Sequence, residues 1–462
     1  MDICFLPHNS HHEDPESFVV NDPHLKQLSK QPLVHHSTLL NKLPIDTPGI
    51  YSISGGRQVG KTTLLKQWMH ELLSKRVDPQ AIIYLTGELI DDHHSLVRII
   101  SDLLVSIPQS GVGFILLDEV TYIKDWDKGV KYCADAGMLQ NAILIITGSD
   151  TAIIKEARMR FPGRRGISET VDFHLHPLGF LESVKLHKRI SLEEINLLRS
   201  SDHEKPGALV ERLFEEFESY LIHGGFLTAI NDLARQHCIL PATFAIYSDW
   251  IRGDVLKRNR NEHFLNEILG AIVKHYGSQI TWNALSRSLS IDHPKTVADY
   301  ISLLESMDVV FVQAALSEDK MTAAVKKARK VMFKDPFIFH AVRAWLNSSE
   351  DPFTKQVTPL FSDSDWSARL AEACMVTHFS KRFPTYYIKG KGEVDIAYID
   401  KKRFWPVEVK WTTQVRPHEL KQIKKYPNGR ILTRLKFPGE IHNIPTTPLP
   451  IELLREDLDD ND

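Results

Sequence analysis

A glycine-rich segment near the amino end has the residue types and spacing of a phosphate-binding loop. Residues 55–62 follow the pattern G-x-x-x-x-G-K-T, in which glycines let the backbone wrap around phosphates and point its N–H groups inward. Lys61 would place a positive charge at the β- and γ-phosphates, and Thr62 would offer a hydroxyl ligand to Mg²⁺. The residues predicted to contact a nucleotide are Gly55, Gly56, Arg57, Gln58, Val59, Gly60, Lys61, Thr62 and Thr63. A glycine-rich structural turn is the alternative.

The elements needed to position this loop are present on both sides of it. Ile50, Tyr51 and Ile53 predict a strand that ends at the loop, and residues 62–73 predict a helix whose positive end faces the anion. Further apolar strands are predicted at residues 81–85, 114–117 and 142–146, with a helix at 95–104. Strands separated by helices indicate an α/β fold with a mostly parallel sheet covered on both faces.

Two carboxylates follow the apolar strand predicted at residues 114–117. Asp118 and Glu119 would lie at the carboxyl edge of the sheet, where such sheets bind their ligands. We expect Asp118 to hold Mg²⁺, mainly through water, and Glu119 to polarise the attacking water. Ordinary surface acids after a buried strand are the alternative.

The next predicted strand ends in hydroxyl groups and is followed by arginines. Thr147 or Ser149 would sense the γ-phosphate or position water, unless they form a plain strand-end turn. The arginines that follow are Arg158, Arg160, Arg164 and Arg165. We take Arg164 as the candidate finger for a neighbouring subunit's nucleotide, since a forked permanent charge suits transition-state oxygens. A solvated basic face explains the same arginines equally well.

A second group of chemically able residues lies near the carboxyl end. Asp395 begins a strand predicted at residues 394–399, and Glu408 and Lys410 lie on the same side of the next strand because they are two residues apart. Asp395 and Glu408 would converge on Mg²⁺ or Mn²⁺, and Lys410 would help to deprotonate water or stabilise phosphate charge. A basic run over residues 421–436 would hold a phosphate backbone. Charged residues on a solvent face are the alternative.

Three helices and a strand are predicted between these two groups, at residues 264–274, 281–289, 294–306 and 308–314. This order matches a winged helix-turn-helix. The segment 320–334, which includes Lys326, Lys327, Arg329 and Lys330, would form a basic wing. DNA-backbone contact and a protein-contact or lid role both remain open.

Composition limits the class of protein. The 462 residues are 42% hydrophobic and 25% charged, with a net charge of −3, which is typical of a globular protein and excludes dominant disorder. No apolar run reaches about 18 residues and the start does not resemble a secretory signal, so we expect no membrane span. The four cysteines form no C-x-x-C pair and favour a reducing cytoplasm. The first twenty residues, with His8, His11 and His12, are expected to form a disordered lead-in rather than a metal-binding tag.

The segment from Tyr51 to Glu182 resembles a widespread group of prokaryotic AAA-plus-like ATPases. The matching motifs are residues 56–63, 117–119, 146–149 and 177–182, followed by Tyr220-Leu221 and Gly224-Gly225-Phe226. The resemblance implies an ATPase core, a helical region, a winged helix and a carboxy-terminal nuclease-like domain. It also suggests a ring-shaped homo-oligomer.

The order of residues near the carboxyl end resembles the PD-(D/E)xK nuclease superfamily. A predicted helix with Glu372 is followed by Asp395 and by Glu408-x-Lys410, although Val394 replaces the proline that names the family. The resemblance implies that Glu372 joins Asp395 and Glu408 as a metal ligand. It also implies that Gln422 and Tyr426, on a following helix, are polar site residues.

These interpretations combine into one prediction of organisation and function. The expected domains are an amino-terminal extension and helix (1–45), a P-loop ATPase core (46–175), a helical region (176–262), a winged helix (263–335), a mixed α/β nuclease-like domain (336–450) and an acidic tail (451–462). We predict a Mg²⁺-dependent ATPase that acts on nucleic acid, expected to be DNA, with a metal-dependent nuclease domain. The alternative is an ATP-switched regulatory protein whose nuclease-like domain is inactive and docks a partner.

Overall fold

The apolar runs of the amino-terminal half form the strands of a parallel sheet. The computed structural model describes residues 3–106, 111–149, 159, 161, 163, 165–166, 168, 170–200, 206–412 and 414–455. The strands of the parallel sheet are β1 (Gly49–Ser54), β2 (Ile82–Thr86), β3 (Gly113–Asp118), β4 (Ala142–Gly148) and β5 (Asp172–His174). Their order is β2-β3-β4-β1-β5, with parallel pairing throughout. The predicted parallel α/β sheet is confirmed, and β5 is a strand that the sequence analysis missed.

Helices cover both faces of this sheet. They are α1 (Phe18–Asn21), α2 (Pro23–Leu28), α3 (Lys61–Ser74), α4 (His93–Ser106) and α5 (Trp126–Asp135). Apolar side chains of α3, such as Leu65 and Trp68, pack on one face, while Leu96 of α4 and Val130 of α5 pack on the other. The central strands are buried along their length because both of their faces are covered.

The amino-terminal lead-in is ordered, so the prediction of disorder is wrong. Phe5 is buried in the core beneath the sheet, and His11 is fully buried. The side chain of Asn9 accepts from the backbone N–H of Tyr84 and donates to its carbonyl, at 2.8 and 2.9 Å. Polar side chains of the lead-in therefore satisfy the outer edge of β2, which is the edge strand of the sheet.

The chain forms two compact units, a first unit Met1–His176 and a second unit Pro177–Asp462. The helices of the second unit are α6 (Phe180–His187), α7 (Leu192–Arg199), α8 (Gly207–His223), α9 (Leu227–Gln236), α10 (Pro241–Lys257), α11 (Glu262–Lys274), α12 (Trp282–Ser288), α13 (Pro294–Ser306), α14 (Pro336–Leu346), α15 (Thr358–Leu360), α16 (Ser364–Ser380) and α17 (Leu449–Arg455). The predicted helices at residues 264–274, 281–289 and 294–306 correspond to α11, α12 and α13.

A β-hairpin follows α13. Strands β6 (Val310–Ala314) and β9 (Arg329–Phe333) pair antiparallel, and the two-residue strands β7 (Leu316–Ser317) and β8 (Thr322–Ala323) pair between them. Ile280 forms an isolated antiparallel bridge with Arg329 and so adds a third segment beside β9. We call residues 262–333 the hairpin unit.

A mixed sheet follows the hairpin unit. It consists of β10 (Thr385–Lys389), β11 (Glu393–Asp400), β12 (Arg403–Lys410), β13 (Arg430–Thr433), β14 (Gly439–Ile441) and β15 (Ile444–Pro448), in the order β10-β11-β12-β13-β15-β14. The first three strands pair antiparallel, whereas β12, β13 and β15 run parallel. The strand predicted at residues 394–399 and the next strand, predicted to carry Glu408 and Lys410, are confirmed as β11 and β12.

Two expectations for the carboxyl end need correction. Gln422 and Tyr426 do not lie on a continuous helix, because this segment consists of the 3-10 turns Pro417–Leu420 and Ile423–Lys425. The first part of the expected acidic tail lies in α17, where Glu452 is buried and pairs with Arg430. Among the residues that the structure describes, no helix is long and apolar enough to cross a membrane.

Candidate functional site

The glycine-rich loop lies between the carboxyl end of β1 and the start of α3, as predicted. Gly60, the residue before α3, has a φ of 98°, a left-handed conformation that favours glycine. A Cβ on Gly55 would lie 2.4 Å from the carbonyl oxygen of Leu175, so a larger residue would displace the backbone there. Local sterics therefore account for both glycines of the pattern.

Lys61 is the buried cation of the loop. Its ammonium donates hydrogen bonds to the carbonyl oxygens of Gly55 at 3.1 Å and Gly56 at 2.8 Å, and it lies 3.7 Å from Glu119 Oε1. Only 4% of the side chain is exposed. The charge is thus held directly over the loop, where nucleotide phosphates would compete with these oxygens for the ammonium.

Asp118 receives hydroxyl donors from three different elements. Thr62 at the start of α3 donates to Oδ2 at 2.6 Å, and the phenol of Tyr84 on β2 donates to the same oxygen at 2.7 Å. Thr147 on β4 donates to Oδ1. The structure therefore brings together Thr62 and Asp118, the two residues predicted to hold Mg²⁺.

Thr147 links the two predicted catalytic carboxylates. While its hydroxyl donates to Asp118, the same oxygen accepts the backbone N–H of Glu119 at 3.0 Å. Glu119 has a left-handed φ of 51°, which turns its side chain toward Lys61. Its Oε2 is buried, and the described residues supply no hydrogen-bond partner for it. This geometry assigns Thr147 a positioning contact, and it leaves a carboxylate oxygen of Glu119 available to orient water.

Tyr84 is a site residue that the sequence analysis missed. Burial, reinforced by the charge of Asp118, raises the pKa of its phenol, so the group remains a hydrogen-bond donor at neutral pH. The Lys66 ammonium lies 3.9 Å from the centroid of the Tyr84 ring and forms a 2.8 Å ion pair with Asp22. Both charged side chains are fully buried. An aromatic residue on β2 gives no sequence signal for this role, because its contacts come from distant segments.

The other residues predicted to contact a nucleotide are placed by contacts and backbone conformation within the first unit. The hydroxyl of Thr63 is hydrogen bonded to His24 Nε2 at 2.8 Å, and Arg57 donates to the Tyr122 hydroxyl at 3.4 Å. Gln58 adopts a left-handed φ of 61° within the loop. Val59 Cγ2 lies 3.2 Å from the position of a Cβ built on Gly55.

The arginine finger remains a prediction, because Arg164 lies outside the described residues. Its neighbour Arg165 donates to the carboxylate of Asp172 through both terminal nitrogens. Arg165 is therefore engaged within its own unit.

The predicted carboxy-terminal metal ligands lie in one region, yet a lysine lies among them. The Nζ of Lys330, on β9, lies 2.7 Å from Glu372 Oε1 on α16 and 3.7 Å from Asp395 Oδ1 on β11, and it also contacts Glu393 Oε1. Only 1% of Lys330 is exposed. Lys330 therefore lies in the segment predicted to form a basic wing, but its buried side chain does not contribute to a basic surface. Sequence spacing did not reveal its position, since β9 lies far from the acids along the chain.

A second lysine neutralises part of the same region. Lys410 Nζ lies 2.7 Å from Glu408 Oε1, and both residues are on β12. Asp395 Oδ2 accepts the backbone N–H of Val409 at 2.9 Å, whereas Glu408 Oε2 is buried and has no hydrogen-bond partner among the described groups. We call Glu372, Glu393, Asp395 and Glu408 the acidic cluster.

Protonation in the acidic cluster follows from burial and crowding. Burial raises the pKa of Glu372 to about 7, with Lys330 opposing that shift. Burial, with Asp395 adding to it, also raises the pKa of Glu408. Burial opposes the charged form of Lys330, but the carboxylates around it, led by Glu372, raise its pKa overall.

The cluster is not arranged as a ready metal site. Among the described residues, no group of three or more His, Cys, Asp or Glu side chains stands in a geometry that would hold a metal ion. The prediction that Glu372, Asp395 and Glu408 converge on one metal therefore does not describe this conformation. The physical reason is that the ammonium groups of Lys330 and Lys410 lie between or beside the carboxylates.

Comparison with known proteins supports the assignment of the first unit. Residues 47–184 match a family model described as an AAA domain. Residues 214–349 match a domain of unknown function, DUF8612. An uncharacterized protein of Haemophilus influenzae is 24% identical over 274 residues, which are 56% of this chain and 61% of that protein. The chain thus spans less than two thirds of this relative's length.

Two solved structures align with the chain at low identity and low TM-score. A Walker-type ATPase of Pyrococcus abyssi aligns with 64% of this chain and 91% of its own, at 16% identity and a TM-score of 0.42. The ORC2 protein of Aeropyrum pernix aligns with 67% of this chain and 91% of its own, at 13% identity and a TM-score of 0.36. The family match and the loop geometry together identify residues 47–184 as an AAA-type P-loop ATPase domain.

Proposed function

We propose that this protein is a Mg²⁺-dependent ATPase that acts on nucleic acid, expected to be DNA, through a winged helix and a PD-(D/E)xK-like domain. The single observation that carries the ATPase part is the meeting of Thr62, Asp118 and Glu119 beside the loop that holds Lys61. Magnesium held by Thr62 and, through water, by Asp118 would neutralise phosphate charge. The oxygen-donor pair of Thr62 and Asp118 fits that ion.

The chain's own residues divide the work of hydrolysis. Lys61 would exchange its loop carbonyls for phosphate oxygens and carry positive charge toward the transition state. Glu119 would accept a hydrogen bond from the attacking water and orient it. Thr147 keeps Asp118 and the Glu119 backbone in register. A homo-oligomer with Arg164 as a finger for the neighbouring subunit's nucleotide belongs to the same proposal.

The nucleic-acid part is supported by the order of elements in the second unit. Three helices, α11 to α13, are followed by a β-hairpin, which is the order of elements expected for a winged helix, and Lys295 on α13 is exposed. Part of the basic run is already engaged, since Arg430, Arg434 and Lys436 pair with glutamates of the same unit. Lys421 and Lys424 remain exposed and would supply backbone contacts.

The alternative is an ATP-switched regulatory protein whose nuclease-like domain is inactive and docks a partner. The specific observation that favours it is the buried Lys330 within the acidic cluster. A site that holds an internal ammonium in this conformation cannot at the same time hold a metal between the same oxygens.

A cleavage assay separates the two functions. Plasmid and linear DNA would be incubated with Mn²⁺, with and without ATP, using the wild type, Glu408→Gln and Lys410→Met. Metal-dependent cutting that is lost in both variants supports the nuclease. Absence of cutting on every substrate, with ATP hydrolysis intact and nucleotide-dependent binding of a partner, supports the regulatory protein.

A further inference from the structure

The hairpin unit delivers one buried cation to the acidic cluster. Lys330 lies in β9, paired with Gln313 of β6, and its side chain extends to carboxylates on α16 and β11. A buried ammonium is stable only when carboxylates surround it, and here Glu372, Glu393 and Asp395 do so. The cluster therefore already binds a cation, which happens to belong to the same chain.

The charge balance of the cluster favours a cation of higher charge. Glu372, Glu393, Asp395 and Glu408 face the ammonium groups of Lys330 and Lys410, so carboxylates outnumber lysines. Glu408 Oε2 is buried and has no hydrogen-bond partner among the described groups. Hard oxygen ligands of this kind suit Mg²⁺ or Mn²⁺, which would bring twice the charge of an ammonium to the same oxygens.

Other contacts hold Lys330 in place, and all of them depend on the position of the hairpin unit. Gln313 Nε2 donates to the backbone carbonyl of Asp395 at 2.8 Å, and the side chain of Gln279 donates to Glu393. The Tyr387 hydroxyl on β10 donates to the carbonyl of Ala328. A shift of the hairpin unit would break these polar contacts and withdraw Lys330 together with them.

We propose that Lys330 is an internal cation that excludes the divalent metal from the acidic cluster until the hairpin unit moves, and that Glu393 is an additional ligand of that metal. The inference rests on the nuclease-like role proposed for this domain and names its regulation. Withdrawal of Lys330 would leave Glu372, Glu393 and Asp395 without their ammonium counterion, and the metal would supply the positive charge instead. Because the hairpin unit is also the proposed DNA-binding element, engagement of DNA would be the event that moves it.

Metal binding to full-length variants tests the proposal without relying on cleavage. Mn²⁺ binding would be measured by titration calorimetry, in the absence of nucleotide, for the wild type, Lys330→Gln and Lys334→Gln. Lys334 is the matched control because it lies beside β9 and pairs with Asp308, outside the cluster. Mn²⁺ sites that the wild type shares with Lys334→Gln are the background of the experiment. Beyond this background, we expect Lys330→Gln to gain one Mn²⁺ site that is at least about tenfold tighter than any site of the wild type.

The gained site should depend on the cluster, so adding Asp395→Asn to Lys330→Gln should remove it. Equal Mn²⁺ binding by the wild type and Lys330→Gln would overturn the proposal. If Lys330→Gln fails to fold, acetylation of lysines in the wild type provides the answer. Lys330 should be protected without metal and labelled at millimolar Mn²⁺, while labelling of Lys334 stays constant. Labelling of Lys330 that does not respond to Mn²⁺ would overturn it as well.

The outcomes distinguish this inference from the proposed function. If Lys330→Gln gains a Mn²⁺ site but no form of the protein cleaves DNA, the exclusion of metal by Lys330 is supported and the nuclease is rejected. If the wild type cleaves DNA but Lys330→Gln binds metal as the wild type does, the nuclease is supported and the exclusion of metal by Lys330 is rejected.

Discussion

The Tyr84 phenol donates a 2.7 Å hydrogen bond to Asp118 Oδ2, the same oxygen that accepts the Thr62 hydroxyl. Tyr84 is the central residue of β2 and lies opposite Leu116 of the parallel strand β3, so its phenol reaches past two residues to Asp118 at the end of β3. The phenol and the Thr62 hydroxyl together restrict the orientation of the Asp118 carboxylate. A connected set of contacts continues from its ring to Lys66 and Asp22.

Tyr84→Phe should weaken the use of Mg²⁺ more than the fold. The change keeps the ring over Lys66 but removes a donor from a buried carboxylate, at a cost of about 1 kcal/mol in the free energy of unfolding. We expect the Mg²⁺ concentration at half-maximal ATPase activity to rise severalfold. Titration of activity with Mg²⁺ at saturating ATP measures this, and an unchanged midpoint would show that Tyr84 does not position Asp118.

Lys61→Ala should abolish nucleotide binding without unfolding the protein. The ammonium donates to carbonyl oxygens of the phosphate-binding loop. Its loss should therefore reduce the affinity for ATP rather than the packing of the core. The measurement is the thermal shift on adding ATP, which should vanish in the variant. Unaltered stabilisation by ATP would contradict the assigned role, and a melting temperature near that of the wild type without nucleotide serves as the control.

Glu119→Gln should bind ATP yet hydrolyse it about a hundredfold more slowly, because an amide is a poor acceptor for the proton of the attacking water. Single-turnover hydrolysis and a binding titration separate the two effects. Turnover close to the wild-type rate would mean that another group orients the water.

Removal of one charge from the buried ion pair between Lys66 and Asp22 should lower the free energy of unfolding. Both side chains are fully buried, so Asp22→Asn leaves an uncompensated ammonium and should lower the free energy of unfolding by about 3–5 kcal/mol. The double variant Asp22→Asn, Lys66→Met should recover part of that loss. Urea denaturation of the single and double variants checks this, and additive losses would show that the pair is not coupled.

The buried carboxyl of Asp335 should make stability fall as the pH rises. Burial raises its pKa from 3.8 to about 6, so the folded state retains a proton that the unfolded state has released between these values. Its contribution therefore stabilises the protein below about pH 4 and is lost as the pH rises toward 6. The side chain accepts from the backbone N–H groups of Gly225 and Phe337, each at 2.7 Å.

Asp335→Asn should remove this component of the pH dependence. Urea denaturation of the wild type and the variant between about pH 4 and pH 6 measures the difference in their free energies of unfolding. This difference should change with pH, because only the wild type has the Asp335 carboxyl that titrates. A constant difference would contradict it.

The candidate ATP site was largely predictable because its signals are local. The loop pattern requires glycine where φ is positive or a Cβ would clash, and the following helix begins at its lysine. Asp118 and Thr147 lie at or next to the last residue of apolar parallel strands, and such strands share a carboxyl edge, so the sequence predicts where these side chains lie. The amino-terminal lead-in was predicted wrongly because its polar residues fold against the edge of β2 rather than forming a core of their own.

The sequence by itself determined the α/β sheet, the phosphate loop and the strands that carry Asp395 and Glu408, because periodicity and short motifs encode elements along the chain. Only the tertiary structure decided that Tyr84 contacts Asp118 and that Lys330 lies among the acids of a different element. These contacts join residues far apart in sequence, and a buried charge is stable only where the fold supplies its counterion. Residue type and spacing contain no information about which distant segment does so.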